Sequence, residues 1–470
     1  MAFYLTANFT TFSFQKLLYY CMKDRSKNLT QGNIGKQLIS LVWPMIFGMM
    51  GIVVFNLVDT FFIGKLGVQQ LAAMSFTFPV VMFINSLALG IGIGTSSLIS
   101  RNIITQSRHN VKMMASRALL LGVIVVVLFV IVGLITIRPV FSSLGAKGDI
   151  LEYVVSYMRI WYLGVPFVVI PMIGNNIVRA TGDTFFPGMV MVMSATINIF
   201  LDPLLIFGYG IFPKMGMEGA ALATVIARSM GLVFILYILI KRENLLTLYF
   251  GRVRAIVSTW KNVVYIAGPA SLGMLITPIS IGLITKILAG FGKEAVAAFG
   301  VASRVEMFAL LVISALSSVL IIFMGQNISK LKISRIYKSL SYSLKFSMLW
   351  GALIFLLLII LGKPIASIFT NDNLVIDITN KYFIIVGASY GFLGLVMLST
   401  ASFNGVNKPV PSALFSIIRM LLLYVPLAWV GAKIFGINGV FWAGFIANVL
   451  IGIISYLFLY RTINRIPLQS

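Results

Sequence analysis

An all-α integral membrane fold is predicted, with twelve transmembrane helices in two parallel six-helix repeats related by a pseudo-two-fold along the membrane normal. Three observations predict it. The 470-residue chain is 59% hydrophobic and only 10% charged, with a mean hydropathy of +1.01, a composition that no soluble surface supports. Its apolar segments recur at lengths that cross roughly 30 Å of hydrocarbon as helix, about 20 residues each. The second half of the chain repeats the first.

The spans fall at 38–60, 76–100, 116–137, 152–176, 187–209, 217–240, 262–288, 296–324, 342–361, 381–402, 410–432 and 437–460. They are too long and too evenly apolar for barrel strands, which alternate polar and apolar over about ten residues. The chain therefore divides into a leading segment at 1–37, six spans over 38–240, a linker at 241–261, six more spans over 262–460 and a tail at 461–470. The leading segment carries a short apolar patch around Leu17 to Met22 with no small-residue cleavage site after it, so it reads as an amphipathic lead-in or a disordered arm and not as a cleaved signal peptide.

Lysine and arginine alternate between the connections. The leading segment, the linker and the loops after even-numbered spans hold Lys16, Lys23, Arg25, Arg101, Arg108, Lys112, Arg179, Lys241, Arg242, Lys330, Lys332, Lys408 and Arg461, while the opposite loops hold few, among them Lys65, Lys147, Lys214 and Lys433. Positive loops stay cytoplasmic, so both termini are expected inside a bacterial plasma membrane. The net charge of +24 then meets anionic lipid headgroups; no basic run is interleaved with aromatics as a nucleic-acid reader requires.

A shift of 225 residues brings Pro44 onto Pro269, the stretch Leu66-Gly67-Val68-Gln69-Gln70-Leu71-Ala72-Ala73 onto Phe291-Gly292-Lys293-Glu294-Ala295-Val296-Ala297-Ala298, and Asn102 onto Asn327. Further along, Gly216-Met217-Glu218-Gly219 meets Gly436-Ile437-Asn438-Gly439 at a shift of 220, after small loop deletions. An even number of spans precedes the repeat, so both copies enter the membrane in the same sense. Alternating access by two rocking lobes uses such a duplication; a receptor has no need of it.

Two carboxylates, Asp59 and Asp202, stand inside apolar stretches of a chain with only 12 acids. A charge at the centre of a membrane helix costs about 2.5–3.5 kcal/mol even on insertion scales, so it is expected to face a protein interior or a wet cavity. Both lie toward the outer ends of spans that run the same way. Asn198 precedes Asp202 by four residues and shares its helical face, Pro203 frees a backbone carbonyl near residue 199, and Thr224 reaches a similar depth on the returning span. These hard oxygen donors suit a proton or Na+ better than a soft transition metal, and Asp59, Asn198 and Asp202 are the expected ligands if the ion is Na+. The alternative for either aspartate is a helix cap or a static buried bridge with Arg228, midway along the sixth span.

The positions equivalent to Asp59 and Asp202 in the second half are Ile284 and Val425, so the paired acids belong to one copy. There the eighth span carries Arg304 and Glu306 on different faces, and Arg419 of the eleventh is a candidate partner for Glu306. Arg228, Arg304, Glu306 and Arg419 are expected to be structural or inter-lobe charges; arginines facing a cavity would matter for anionic substrates. Cys21 is the single cysteine, and His109, the single histidine, lies in a basic loop, which leaves an embedded enzyme without a general base or metal cluster. No enzyme activity and no cofactor beyond a coupling ion are expected. The 23 Met and 36 Phe suit a cavity for varied amphiphiles, and a monomer whose partners are amphiphilic small molecules and membrane lipids is the expected form.

The segment Asn56-Leu57-Val58-Asp59-Thr60-Phe61-Phe62-Ile63-Gly64-Lys65-Leu66-Gly67, the Asn198-x-x-x-Asp202-Pro203 pair and Gly216-x-x-Gly219-Ala220-Ala221-Leu222-Ala223-Thr224 resemble the multidrug and toxic compound extrusion (MATE) family over about residues 30–465. The resemblance implies export of organic cations and other drugs in exchange for Na+ or H+, with Asp59, Asn198, Asp202 and Thr224 as the cation site of the N-terminal lobe. It also implies that Asn175 and Asn176 line the substrate cavity. One branch of the family places an acid in the seventh helix, and none occurs over 262–288, which favours the branch coupling through the N-terminal lobe. Relatives in the wider superfamily flip lipid-linked saccharides. That alternative needs more inward-facing basic residues than Arg304 and Arg419 provide.

Overall fold

The structure, a computed structural model, describes residues 28–210 and 212–465. Cys21 and the apolar patch of the leading segment lie outside the described residues, as do the last five residues of the expected tail. The described residues form helices joined by short turns, with no strand among them.

In chain order the helices are α1 (Ile34–Gly64), α2 (Val68–Asn102), α3 (Arg108–Ser143), α4 (Gly148–Ala180), α5 (Phe185–Phe207), α6 (Gly216–Tyr237), α7 (Val253–Ala289), α8 (Lys293–Ala309), α9 (Leu311–Ser329), α10 (Ile333–Ser367), α11 (Asn373–Ile385), α12 (Tyr390–Gly405), α13 (Pro409–Ile417) and α14 (Val425–Asn464). Local chemistry sets several ends. Asn33 and Ser107 cap α1 and α3 by accepting backbone N–H bonds from Lys36 and Asn110, and the Asp372 carboxylate caps α11, each satisfying donors that a helix start leaves free. Gly208 ends α5 in the left-handed region at φ 75°, which a glycine adopts without steric cost.

Among the described residues, eleven continuous helical segments are long and apolar enough to cross a membrane. The longest, Pro409–Asn464, bends at Gly436, where φ 61° and ψ −144° leave the helical region, and the two parts complete the expected twelve spans. The eighth and tenth spans are each made of two helices. Leu310 interrupts α8 and α9, and a 3-10 turn at Gly387–Ser389 interrupts α11 and α12, while a π-helical stretch at Ile418–Tyr424 joins α13 to α14.

The linker expected over 241–261 is shorter. α6 runs on through a π-helical turn at Ile238–Arg242, and α7 already begins at Val253. Lys241, Arg252, Arg254 and Lys261 are exposed as a loop reading requires, but Arg242 is tied down. Arg242 is buried and pairs with Asp183 at 2.8 Å and Glu243 at 2.6 Å, and the Trp260 indole on the first turns of α7 donates to the Arg117 carbonyl at 2.8 Å.

Within the first half, α1 packs on α5, α5 on α6, and α4 on α2, α3 and α6; within the second, α12 packs on α9, α10 and α14, and α11 on α8 and α10. The halves meet where α2 packs on α7 and α9, and α9 on α1. That junction lies at the end of the bundle where α1 begins and α2, α4, α9 and α12 finish. Side chains there are buried all round, as in Thr95–Ser100, Ile173–Thr184 and Val319–Asn327, whereas the opposite ends of the same spans are buried on one side only. The two lobes thus converge at the terminus-bearing end and diverge at the other.

Specific bonds hold the junction. Ser97 donates to the Asn404 carbonyl at 2.6 Å, Gln326 donates to the Ala180 carbonyl at 3.2 Å and accepts from the Leu29 amide at 2.9 Å, and Asn327 and Arg335 donate to the Leu29 carbonyl. Backbone approach is close as well: a Cβ on Gly94 would stand 2.5 Å from the Val263 carbonyl oxygen. In a Cys21→Ser background, cysteines placed at 97 and 404 are expected to cross-link efficiently under mild oxidation. Adding Gly94→Val should lower the yield several-fold by wedging α2 from α7. An unchanged yield would contradict this closure.

Candidate functional site

The first-half core brings Asp59 of α1, Asn198 and Asp202 of α5 and Thr224 of α6 into one buried cluster. Small residues make this possible. A Cβ on Gly48 would meet the Gly188 Cα at 2.9 Å, and one on Gly219 would meet the Leu205 carbonyl oxygen at 2.4 Å, so α1 and α6 approach α5 to backbone distance. Asn198 is the hub. Its amide donates to Asp202 Oδ1 at 3.1 Å and approaches Thr224 Oγ1 at 3.4 Å. Asp59 is near enough to Asp202 for their charges to act on one another, and Tyr157 of α4 is buried in the same neighbourhood.

This cluster is incompletely satisfied. Asp59 Oδ1, Asn198 Oδ1 and Asp202 Oδ2 are buried and accept no hydrogen bond. A buried acceptor without a donor costs about 1–3 kcal/mol, more when charged, so the arrangement calls for a proton or a cation. The static bridge to Arg228 does not form. Among the described residues the ion pairs are Arg138–Glu152, Arg242–Asp183, Arg242–Glu243 and Lys363–Asp377, and Arg228 instead lies over the Phe55 ring at 5.1 Å. No group of three or more His, Cys, Asp or Glu residues suited to a metal ion occurs among the described residues. Two carboxylates, an amide and a hydroxyl are the available donors, a hard oxygen set that fits Na+ or H+ as a transported ion.

Tyr157 was not among the candidates from sequence. Its contribution depends on α4 crossing α5 and α6, and the only local signal was a hydroxyl within an apolar span. Asn175 and Asn176 of α4, expected to line a substrate cavity, are buried at the closed junction in this conformation. Asn176 bonds the Met172 carbonyl at 2.8 Å and abuts Gly92 of α2, while Asn175 Oδ1 has no partner. Thr95 Oγ1 and Asn404 Oδ1 are also buried and unpartnered. They lie on α2 and α12, which meet at this junction between the halves.

The second half holds a different polar centre. Glu306 accepts from the Tyr382 hydroxyl at 2.7 Å, with Tyr390, Tyr424 and Arg419 close by. The expected Arg419–Glu306 bridge is not made. Arg419 donates to Asn448 Oδ1 at 2.9 Å, and Asn448 donates on to Ser389 at 2.9 Å, so these charges stabilise one half internally. Arg304 is exposed. The helix interruptions at Leu310, at Gly387–Ser389 and over Ile418–Tyr424 all fall beside this centre. Such breaks are tolerated at membrane depth where protein groups meet the freed backbone.

The sequence pattern of the MatE family matches this chain twice, over residues 44–204 and 269–430, one match per half and again 225 residues apart at their starts. The chain belongs to the MatE family. A relative from Shewanella oneidensis named FAD transporter is 38% identical over 93% of this chain and 96% of its own. Multidrug export protein MepA of Staphylococcus saprophyticus is 23% identical over 96% of this chain and 98% of its own. Among solved structures, the Vibrio cholerae MATE transporter VcmN in its bent form superposes with a TM-score of 0.85 at 31% identity, over 91% of this chain and 97% of that one. As a MatE protein, this chain is a multi-pass membrane transporter and not an enzyme.

The second-half centre yields a stability test. Tyr382→Phe removes the hydroxyl that donates to half-buried Glu306 and is expected to lower stability by about 1 kcal/mol, read as a lower thermal midpoint in detergent. An unchanged midpoint would show that Glu306 has another donor or is not held by Tyr382.

Proposed function

We propose that this MatE chain is a secondary active exporter that exchanges an organic solute for Na+ or H+ by alternating access of its two halves. Asp59, Asn198, Asp202 and Thr224 form the ion site in this reading. Its main support is the set of oxygens at Asp59, Asn198 and Asp202 that are buried without donors inside one lobe. An ion supplies what those oxygens lack and so favours the lobe packing that surrounds it. Solute favours the other arrangement, and the difference in affinity between the two states is the coupling. The charge asymmetry of the loops supports a plasma-membrane orientation with the closed, terminus-bearing end in the cytoplasm.

The resemblance read from the sequence favours an amphiphilic cation as cargo. The relative named FAD transporter and the uncompensated Arg228 beside Phe55 favour an aromatic organic anion of the flavin-nucleotide type. Export of cationic drugs is the second reading, supported by the similarity to MepA and by the carboxylates of the ion site. The saccharide-flippase alternative draws little support from the second-half arginines, since Arg304 is exposed and Arg419 is engaged by Asn448.

Proteoliposomes carrying Asp59→Asn or Asp202→Asn, loaded with FAD or with ethidium and driven by Na+ and H+ gradients in turn, test the proposal. Gradient-driven efflux is expected to fall by at least about tenfold in each variant, within the span of a 1–3 kcal/mol coupling, while solute binding in detergent changes little. Undiminished efflux in both variants would sink the ion-site assignment. The cargo that moves in the unsubstituted protein decides between the two solute classes.

A further inference from the structure

One helical turn from the ion site, toward the closed end, the same three helices present a second layer. Phe55, Ser194 and Arg228 each stand four residues from Asp59, Asn198 and Thr224 on α1, α5 and α6, a spacing that keeps each pair on one helical face. With Ile52, Met191, Ala195 and Ala227 they line a narrow cleft. Its charged residue is Arg228, whose guanidinium lies 5.1 Å from the centroid of the Phe55 ring.

Arg228 stands near the middle of a segment, Gly216–Arg242, that crosses the membrane. An arginine at that depth is costly, and such residues pair internally or mark a solute path. Among the described residues no carboxylate pairs with it. Asp59 and Asp202 sit one layer away and leave it uncompensated. The Phe55 ring covers the guanidinium at cation–π distance, a contact that leaves N–H groups able to meet an incoming anion.

We infer that Arg228, oriented by Phe55 and assisted by the Ser194 hydroxyl, is an anion-recognition subsite that takes the phosphate of an aromatic organic phosphate. The inference rests on the exporter reading above and sharpens its cargo to phosphate-bearing aromatics. A guanidinium meets phosphate through two parallel N–H···O bonds, a match that lysine does not reproduce. The subsite takes the anionic group alone, and the aromatic remainder extends toward the space between the lobes.

Equilibrium binding to the purified full-length protein in detergent tests this with FAD, FMN and riboflavin, the last lacking phosphate. The unsubstituted protein is expected to prefer the phosphorylated flavins by about ten- to a hundredfold, the range of a charge-assisted bond of 1.5–3 kcal/mol. Arg228→Gln should abolish that preference while leaving riboflavin affinity within about twofold. Arg304→Gln, at an exposed arginine, should leave the preference intact. Arg228→Lys should give an intermediate ratio and serves as the readout if the Gln variant does not fold. A preference that survives Arg228→Gln or Arg228→Lys undiminished overturns the subsite. If no flavin binds the unsubstituted protein, the flavin reading of the cargo fails, and 1-naphthyl phosphate against 1-naphthol decides the subsite by itself. Discrimination lost in Arg228→Gln upholds it, and absence of discrimination in the unsubstituted protein overturns it.

Discussion

A polar atom removed from water must find a partner inside the protein, and in a chain this apolar that requirement governs nearly every element. Backbone groups meet it by forming helices throughout the described residues. Side chains meet it by bonding to nearby carbonyls, as Ser97, Gln326 and Arg117 do. Against that background the exceptions carry information. Asp59, Asn198 and Asp202 leave three oxygens unfilled in one lobe, and Arg228 leaves a positive charge unanswered one turn away. A lobe assembled around an incomplete cluster has a reason to bind an ion. A cleft walled by an unpaired arginine has a reason to bind an anion.

The two-lobed plan gives those deficits mechanical consequences. Contacts between the halves concentrate at one end, where Gly94 meets the α7 backbone and Gln326 bridges Ala180 and Leu29. Moving the lobes breaks a short list of hydrogen bonds and wets a buried polar patch that includes Thr95, Asn175 and Asn404, each already short of a partner. Exposure therefore costs those groups little, which lowers the difference between the closed and open states of that end. A difference of a few kcal/mol is one that ion and solute can bias.

Much of this was legible in the sequence, and the parts that were not share a cause. Span length and hydropathy are local properties, and the structure places all twelve spans where the apolar segments fall, including the division near Gly436. The 225-residue repeat was visible at Pro44 and Pro269 and returns in the double MatE match. Asp59, Asn198, Asp202 and Thr224 could be grouped because helix direction and rise fix depth. Depth does not fix azimuth. Arg228 has the right depth to bridge an aspartate, yet it faces Phe55; Arg419 has the right depth for Glu306, yet it bonds Asn448. The linker was overestimated because Arg242 read as solvated when Asp183 neutralises it from another segment. The interruption at Leu310 has neither proline nor glycine at that position to announce it, and Tyr157 enters only through the crossing of α4.

The central claim is that the state of the Asp59–Asn198–Asp202 cluster sets the arrangement of the lobes. Spin-label distances between the lobes at the end away from the termini, recorded in lipid nanodiscs across pH and with and without Na+, address it most directly. The expected result is an ion-dependent shift between two distance populations that is lost in Asp59→Asn and Asp202→Asn. The same shift persisting in both variants, or no ion dependence in the unsubstituted protein, would contradict it.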